Sequence, residues 1–149
     1  METMTTPKLT TRLIVRNAAK ALTFYSTVLG AHELVKFEDA DGTIVHAELQ
    51  LGEAMLALAE EDGVDNFSPE HLNGSPVILM LLVPDVDQLG EAMVEAGSTI
   101  QTPLEDREYG RRDGKVRDPF GHLWIIAQDI EDLDCAEIER RVKASTTTD

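Results

Sequence analysis

An internal repeat is the feature that most constrains how this chain of 149 residues can fold. Leu13–Asn17 and Leu81–Asp85 each end an apolar run at a residue suited to cap a helix, and they lie about 68 positions apart. Each copy continues with apolar residues at helical spacing that stop at a glycine, Gly30 or Gly97, and then with three strand-like stretches. The sequence therefore predicts an α+β fold built from two βαβββ modules in tandem.

The first module is predicted to begin with a strand over Leu9–Arg16, followed by a helix that Asn17 caps and that ends at Gly30. Turn residues at Asp41-Gly42 and Gly52-Glu53 separate the strands that follow. These predicted strands are Ala31–Glu38, Thr43–Leu51 and Ala54–Ala59.

The second module repeats this order, with a strand over Val77–Val83 and a helix that Asp85 caps. A loop rich in charged residues is expected between Thr102 and Lys115. The predicted strands of this module are Ser98–Thr102, Lys115–Arg117 and His122–Gln128.

We divide the chain into a first module over 8–60, a connector over 61–75, a second module over 76–130 and a C-terminal part over 131–149. The connector shows no clear periodicity. The C-terminal part contains a short helix over Leu133–Lys143 with Asp134 as its cap, and Ser145–Asp149 is expected to fray.

The charge balance restricts the partners of this chain. It contains 28 Asp and Glu against 13 Lys and Arg, for a net charge of −15. A nucleic-acid-binding surface needs a basic patch, and an anionic membrane repels acidic proteins, so both partners are excluded. A small-molecule ligand, a cation among others, remains compatible with this charge.

Other features favour the cytoplasm. The single cysteine, Cys135, cannot form an internal disulfide. The polar segment Met1–Lys8 lacks the apolar core of a signal peptide, and the longest apolar stretch, Pro76–Pro84, is far shorter than the roughly 20 residues that span a bilayer. We therefore expect a cytoplasmic protein.

Four motifs in the chain stand out by their order and spacing. They are Val15–Tyr25 with Leu29-Gly30-Ala31, His46-Ala47-Glu48-Leu49, Gly110-Arg111-Arg112 and Asp118–Trp124. Together they resemble the vicinal oxygen chelate superfamily, which contains glyoxalases, bleomycin-resistance proteins and extradiol dioxygenases, and within it the PhnB-like branch. The resemblance covers roughly residues 8 to 142 and implies a curved, partly open mixed sheet that forms a cleft, helices on its outer face, and a homodimer.

The resemblance also locates the metal ligands of metal-dependent members, one on the first and one on the last strand of each module. In this chain the positions fall at Thr10, Leu56 (or Ala57, one residue along), Ile78 and Ile125. Aliphatic side chains donate no lone pair, and a lone threonine hydroxyl is a poor ligand. We therefore expect no metal, no cofactor and no catalytic residue.

Strand alternation indicates which side chains line the cleft instead. His46, Glu48 and Gln50 form one row of their strand, whereas Val45, Ala47, Leu49 and Leu51 form the apolar row expected to meet the helix. In the first and last strands, Leu13, Val15, Leu79, Leu81, Trp124 and Ile126 are expected to pack on the helices. The predicted ligand-binding residues are Thr10, Arg12, His46, Glu48, Gln50, Leu56, Ile78, Met80, Tyr109, Arg112, Leu123 and Ile125.

Several of these residues have two interpretations. His46 and Glu48 act as an acid–base pair, bind a metal as a two-ligand site, or form a structural hydrogen bond. The basic run from Arg107 to Arg117 either clamps an anionic ligand group or pairs with the protein's own carboxylates. His122 is expected to anchor the turn that precedes it.

Three functions remain open. The first is a metal-free protein that binds and sequesters an antibiotic or another natural product, as the resemblance to resistance proteins implies. The second is a lyase or isomerase of the glyoxalase type, with a divalent metal at a relocated site such as His46 and Glu48. The third is a housekeeping member of the fold with an unknown ligand.

Overall fold

Each half of the chain forms one four-stranded mixed sheet with a helix packed on one face. The computed structural model describes residues 3–146, and it divides them into two units, the first ending at Gly74 and the second beginning at Ser75. The predicted α+β fold with two βαβββ modules is confirmed.

The first sheet has the strand order β1-β4-β3-β2, in which β1 runs parallel to β4 and the other neighbours are antiparallel. A short helix, α2, lies within the predicted connector over 61–75. The elements of this unit are β1 (Thr11–Val15), α1 (Ala18–Thr27), β2 (His32–Glu38), β3 (Ile44–Leu51), β4 (Ala54–Glu60) and α2 (Pro69–Leu72).

The second sheet repeats this topology as β5-β8-β7-β6, with β5 parallel to β8. The elements of this unit are β5 (Ile78–Leu82), α3 (Val86–Glu95), β6 (Thr99–Asp106), β7 (Arg111–Arg117), β8 (Leu123–Asp129) and α4 (Cys135–Thr146). Among the described helices, none is long and apolar enough to cross a membrane.

The predicted caps start the two longer module helices. Asn17 adopts a left-handed conformation, and its side chain accepts a hydrogen bond from the Lys20 amide at 3.2 Å. Asp85 accepts one from the Gln88 amide at 3.1 Å. A Glu60 oxygen also accepts the amide of Ala18 at 2.9 Å, so a carboxylate from β4 fixes the positive end of α1.

Helices α1 and α3 each cover the apolar face of the sheet in their own unit. Leu13 and Val15 are buried in the first unit, and Trp124 and Ile126 in the second, as predicted, whereas Leu79 and Leu81 are half-buried. The buried helix side chains are Ala18, Ala21, Phe24 and Tyr25 of α1, and Val86 and Met93 of α3.

Three local predictions were wrong. The charged loop after Thr102 is a hairpin, because β6 continues to Asp106 and β7 starts at Arg111, and backbone pairing holds these strands without an apolar pattern. A register shift in the β2–β3 ladder places Ile44 in the core (6% exposed) and leaves Val45 44% exposed. Ser145 and Thr146 belong to α4; residues 147–149 lie outside the described part of the chain.

Candidate functional site

Four predicted binding residues share one face of the second sheet. In the β5–β8 ladder Ile78 pairs with Leu123, and Met80 pairs with Ile125. Directly paired residues of neighbouring strands project to the same side, so these apolar side chains form one patch, with Met80 67% exposed. Lys115 of β7 pairs with Ile125 and adds a cation to this face.

A cavity of about 390 Å³ opens on this face. Ile78 and Ile125 supply its apolar part, and Thr102, Arg107, Tyr109 and Lys115 are among its polar lining residues. Three of the predicted residues therefore line it, namely Ile78, Tyr109 and Ile125. Met80 and Leu123 lie on the same face outside the lining.

The hairpin turn holds a cluster of three side chains at the wall of this cavity. Tyr109 donates a hydrogen bond from its hydroxyl to Oδ2 of Asp113, and Arg107 donates from Nε to Oδ1 of the same carboxylate at 2.9 Å. Arg107 also donates to Glu105 at 3.0 Å and to the Pro103 carbonyl at 2.8 Å. Asp113 is thus a buried carboxylate whose two oxygens are both engaged.

The cluster determines the protonation of Tyr109. Partial burial, and next the hydrogen bond to Asp113, raise the pKa of Tyr109 to about 12. The hydrogen bond to Asp113 also raises the pKa of Arg107. At neutral pH the cavity wall therefore presents a neutral phenol held in place by an ion pair.

Arg112 lies on the opposite face from the cavity. Arg112 pairs with Gln128 in the β7–β8 ladder, an odd number of positions from the Lys115–Ile125 pair, so the side chains of Arg112 and Lys115 project to opposite faces. Its guanidinium contacts Asp87 at the start of α3 and Asp106 on β6, both at 3.1 Å. The expected placement of Arg112 in the cleft is therefore wrong for this sheet, because alternation turns the side chain toward the helix.

The basic run mostly pairs with the protein's own carboxylates. Arg107 and Arg112 form the contacts described above, and Arg111 contacts Asp129 at 2.9 Å. Lys115 and Arg117 differ, since neither forms an ion pair with any residue in the described range 3–146. From the sequence alone, Lys115 was named only as a member of this run. The alternation of side chains along the strands was the signal that could have placed Lys115 on the same face as Ile125.

In the first unit, the predicted polar row lies beside Arg12. His46 Nε2 and Glu48 Oε1 are 3.2 Å apart, and Gln50 is exposed and donates to the Gly52 carbonyl at 3.2 Å. Arg12 pairs with Ala57, which in turn pairs with Glu48, so these residues share a face. Arg12 donates to the carbonyl of Val45 at 3.1 Å.

Phe37 adds an aromatic group to this row. It pairs with His46 across the β2–β3 ladder, and the two rings stack with centroids 6.3 Å apart. Phe37 is exposed and therefore accessible for stacking. The first sheet thus carries a second patch with a carboxylate, an imidazole and an aromatic ring.

The register settles the choice between Leu56 and Ala57. Leu56 pairs with Thr11 and Leu49 and is buried, whereas Ala57 pairs with Arg12. Leu56 therefore belongs to the helix side, and the placement of Leu56 in the cleft was wrong by one residue. Thr10 is exposed and precedes β1.

The side chains at the four implied metal positions do not fit a metal ion. They are Thr10, Ala57, Ile78 and Ile125, of which only threonine carries an oxygen. His46 and Glu48 offer two donors, and within residues 3–146 no group of three His, Cys, Asp or Glu side chains is placed to hold a metal. We therefore derive no chemistry through a metal.

Asp118 anchors the turn before β8. It is buried, and its Oδ1 accepts the amides of Phe120 at 2.9 Å and His122 at 3.0 Å. The anchoring role expected of the His122 side chain stays a prediction. This turn fixes the start of β8, the strand that carries Ile125.

The comparisons with known proteins agree with this architecture. The family model described as Glyoxalase/Bleomycin resistance protein/Dioxygenase superfamily matches residues 9–126, and the chain belongs to this superfamily. The uncharacterized protein Mb0911c of Mycobacterium bovis is 36% identical over 137 residues, which cover 89% of this chain and 90% of that protein.

Solved structures show the same fold. The crystal structure of TioX from Micromonospora sp. ML1 matches with a TM-score of 0.65 and 27% identity, covering 83% of this chain and 99% of that one. A PhnB protein from Bacillus cereus matches with a TM-score of 0.66 and 18% identity, covering 82% and 99% of the two chains, which supports the fold alone.

Proposed function

We propose that this chain is a metal-free small-molecule-binding protein that sequesters an antibiotic or another natural product. The cavity of about 390 Å³ on the second sheet is the observation that carries the proposal. Its volume falls in the range of roughly 300–1,000 Å³ typical of ligand pockets, and its combination of apolar surface with a few polar groups is typical too. Membership of a superfamily that includes bleomycin-resistance proteins supports this choice.

The cluster of Arg107, Tyr109 and Asp113 in the lining favours binding over catalysis. The Tyr109 phenol is neutral, and the oxygens of Asp113 are occupied by Tyr109 and Arg107. A general base needs a carboxylate or imidazole free to take a proton from the substrate. A binding protein needs only a preorganised surface, which this cluster supplies.

A cavity-filling variant tests the binding site. Thr102 is an exposed residue of β6 that lines the cavity, so Thr102→Trp occupies the cavity without burying a charge. Thr99→Trp is the matched control, because Thr99 is an exposed residue of the same strand outside the lining. A thermal-shift panel of planar and charged antibiotics should yield compounds that stabilise the native protein and the control but not Thr102→Trp. Equal stabilisation of all three proteins would overturn the cavity as the site.

A metal-dependent lyase or isomerase is the second candidate, and the pairing of His46 with Glu48 at 3.2 Å is the observation that favours it. Elemental analysis of the purified protein and a thermal-shift panel of divalent metals separate the two functions. A stoichiometric metal that His46→Ala and Glu48→Ala both remove would favour the enzyme. An absence of any stabilising metal or antibiotic would favour a housekeeping member with another ligand.

We also propose a homodimer, in which the apolar face of β5 meets a second copy of the chain. Met80 and Leu82 project from one face of this outermost strand, are exposed and lie outside the cavity lining. Exposed apolar patches rimmed by polar residues are typical of protein interfaces. Sedimentation should give a dimer for the native chain and a monomer for Met80→Asp; a monomeric native chain would contradict the proposal.

A cytoplasmic location stays a prediction that cell fractionation tests.

A further inference from the structure

We propose that the ligand of the 390 Å³ cavity carries an anionic group that pairs with Lys115, on an apolar body that lies against Ile78 and Ile125. This inference rests on the proposed function of the cavity as a binding site. It names the chemical class of the ligand, an apolar or aromatic anion such as a carboxylate or sulfonate.

The surroundings of Lys115 support an anionic partner. Lys115 lies on β7 between Thr102 of β6 and Ile125 of β8, its partners in the two ladders, and it is half-buried. Among residues 3–146 no carboxylate oxygen lies within 4.0 Å of its ammonium nitrogen. An ammonium group without an ion-pair partner beside apolar side chains favours the approach of an anion.

The other cation of the lining, Arg107, is already paired with carboxylates. The Arg107 guanidinium donates to two carboxylates, Glu105 and Asp113, and to the Pro103 carbonyl, which leaves it little capacity for a ligand. Glu108 is exposed, and its carboxylate accepts a hydrogen bond from Ser145 at 3.2 Å. Within the described lining, Lys115 is therefore the cation available to a ligand.

The apolar neighbours of Lys115 determine the rest of the ligand. Ile78 and Ile125 line the same cavity, and Ile125 is the direct ladder partner of Lys115. A ligand that pairs with the ammonium group therefore places its adjoining atoms on these aliphatic side chains. Apolar contact contributes affinity in proportion to the area buried, and the ion pair fixes the orientation.

The net charge of −15 allows a clear test of this inference. Most of the surface repels an anion, so an anionic probe that binds must find a local cation. We choose 8-anilinonaphthalene-1-sulfonate as the probe and N-phenyl-1-naphthylamine as its matched control. The two dyes share the same aromatic body and differ in the sulfonate group, and both fluoresce on entering an apolar site.

The experiment is a fluorescence titration of both dyes with the native chain and two variants. Lys115→Met keeps most of the aliphatic stem and removes the charge, and Lys20→Met does the same at an exposed position on α1. We expect Lys115→Met to weaken binding of the sulfonate about tenfold and to leave the neutral dye within about twofold, as for the loss of one charge-assisted hydrogen bond. Lys20→Met should change neither.

The outcomes separate this inference from the proposed function. If both dyes bind and Lys115→Met changes their affinities equally, the anionic class is overturned while the binding site stands. If Thr102→Trp abolishes binding of the neutral dye, the cavity is a binding site whatever the result for Lys115. If neither dye binds, or Thr102→Trp leaves both unaffected, the cavity itself is overturned.

Discussion

The indole nitrogen of Trp124 donates a hydrogen bond to Oδ2 of Asp118 at 2.9 Å, and both side chains are buried, with exposed fractions of 2% and 3%. The other carboxylate oxygen accepts two turn amides. Asp118 thereby ties the turn to the largest side chain of the core. A buried carboxylate is stable only when its oxygens accept hydrogen bonds. These three hydrogen bonds to Asp118 therefore fix the direction in which β8 leaves the turn.

Asp118→Ala should lower the free energy of unfolding by about 3 kcal/mol, since it leaves two amides and the indole of Trp124 without their acceptor. Urea denaturation followed by tryptophan fluorescence measures the change. Asp132→Asn, at an exposed position in the same unit, is the control and should stay within about 0.5 kcal/mol. Comparable losses of unfolding free energy in both variants would show that the hydrogen bonds of Asp118 do not stabilise the fold.

Sequence reasoning found this turn but not its anchor. The segment Asp118–Gly121 carries the residues of a turn, and Trp124 falls on the buried phase of its strand, so both were predictable. The contribution of Asp118 was missed because nothing in the order of residues tells which polar side chain turns inward. That choice depends on the donors that the folded core brings together.

Gly114 and Gly90 should respond differently to the same substitution. A Cβ at Gly114 would lie 2.6 Å from the backbone oxygen of Thr102, which the β6–β7 ladder holds in place. A Cβ at Gly90 would meet the terminal Cδ1 methyl of Leu104 at 2.9 Å, which can move. Gly90 also lies in the interior of α3, where alanine is favoured by about 1 kcal/mol.

We therefore expect Gly114→Ala to lower the free energy of unfolding by about 2 kcal/mol and Gly90→Ala to change it by less than about 1 kcal/mol. Chemical denaturation of both variants beside the native chain measures this. A neutral Gly114→Ala would mean that β6 can move away from β7, contrary to the tight approach in the structure.

The candidate site could be predicted where the alternation of side chains was strong. The apolar strands β5 and β8 gave the right face for Ile78 and Ile125. The charged hairpin lacks such a pattern, so Arg112 was placed on the wrong face and Lys115 was not singled out. The register shift in β2–β3 and the one-residue ambiguity at Leu56 have the same physical origin, since a slip of one position exchanges the two faces.

Tyr109 should titrate later than an ordinary tyrosine. Its pKa is raised to about 12, first by partial burial and then by Asp113, so the fold favours the neutral phenol. The resulting stabilisation is complete below pH 10 and is lost as the pH rises from about 10 through about 12. The difference in absorbance at the tyrosinate band between the native chain and Tyr109→Phe gives this titration directly.

Asp113→Asn separates the two causes of the shift. It removes the carboxylate while the partial burial of Tyr109 remains, so the pKa of Tyr109 should fall below about 12 and stay above 10. Circular dichroism at each pH verifies that the protein is folded. A midpoint at 10 in the folded native chain would show that the phenol is neither buried nor bound to Asp113.

The C-terminal helix α4 should depend on Arg141 for its attachment. None of the α4 residues, all of which lie in the described range, is buried, so polar contacts hold the helix. Arg141 contacts Glu131 before the helix at 3.1 Å and Glu137 within it at 2.9 Å, and it donates to the Glu108 carbonyl at 3.4 Å. The helix also borders a cavity of about 720 Å³ through Ile138.

Arg141→Met should accelerate amide hydrogen exchange in α4 by about fivefold, as expected from the loss of two partly exposed ion pairs. Lys143→Met is the control, because Lys143 pairs with Glu139 at 2.8 Å inside the same helix and should change exchange less than about twofold. Arg140 and Arg141 lower the pKa of Glu137 to about 2, so this carboxylate contributes stability above pH 4.5 and loses it as the pH falls toward 2. The difference between Arg141→Met and the native chain should therefore shrink over that interval. Equal exchange in the two variants at neutral pH would show that α4 stays attached through contacts other than those of Arg141.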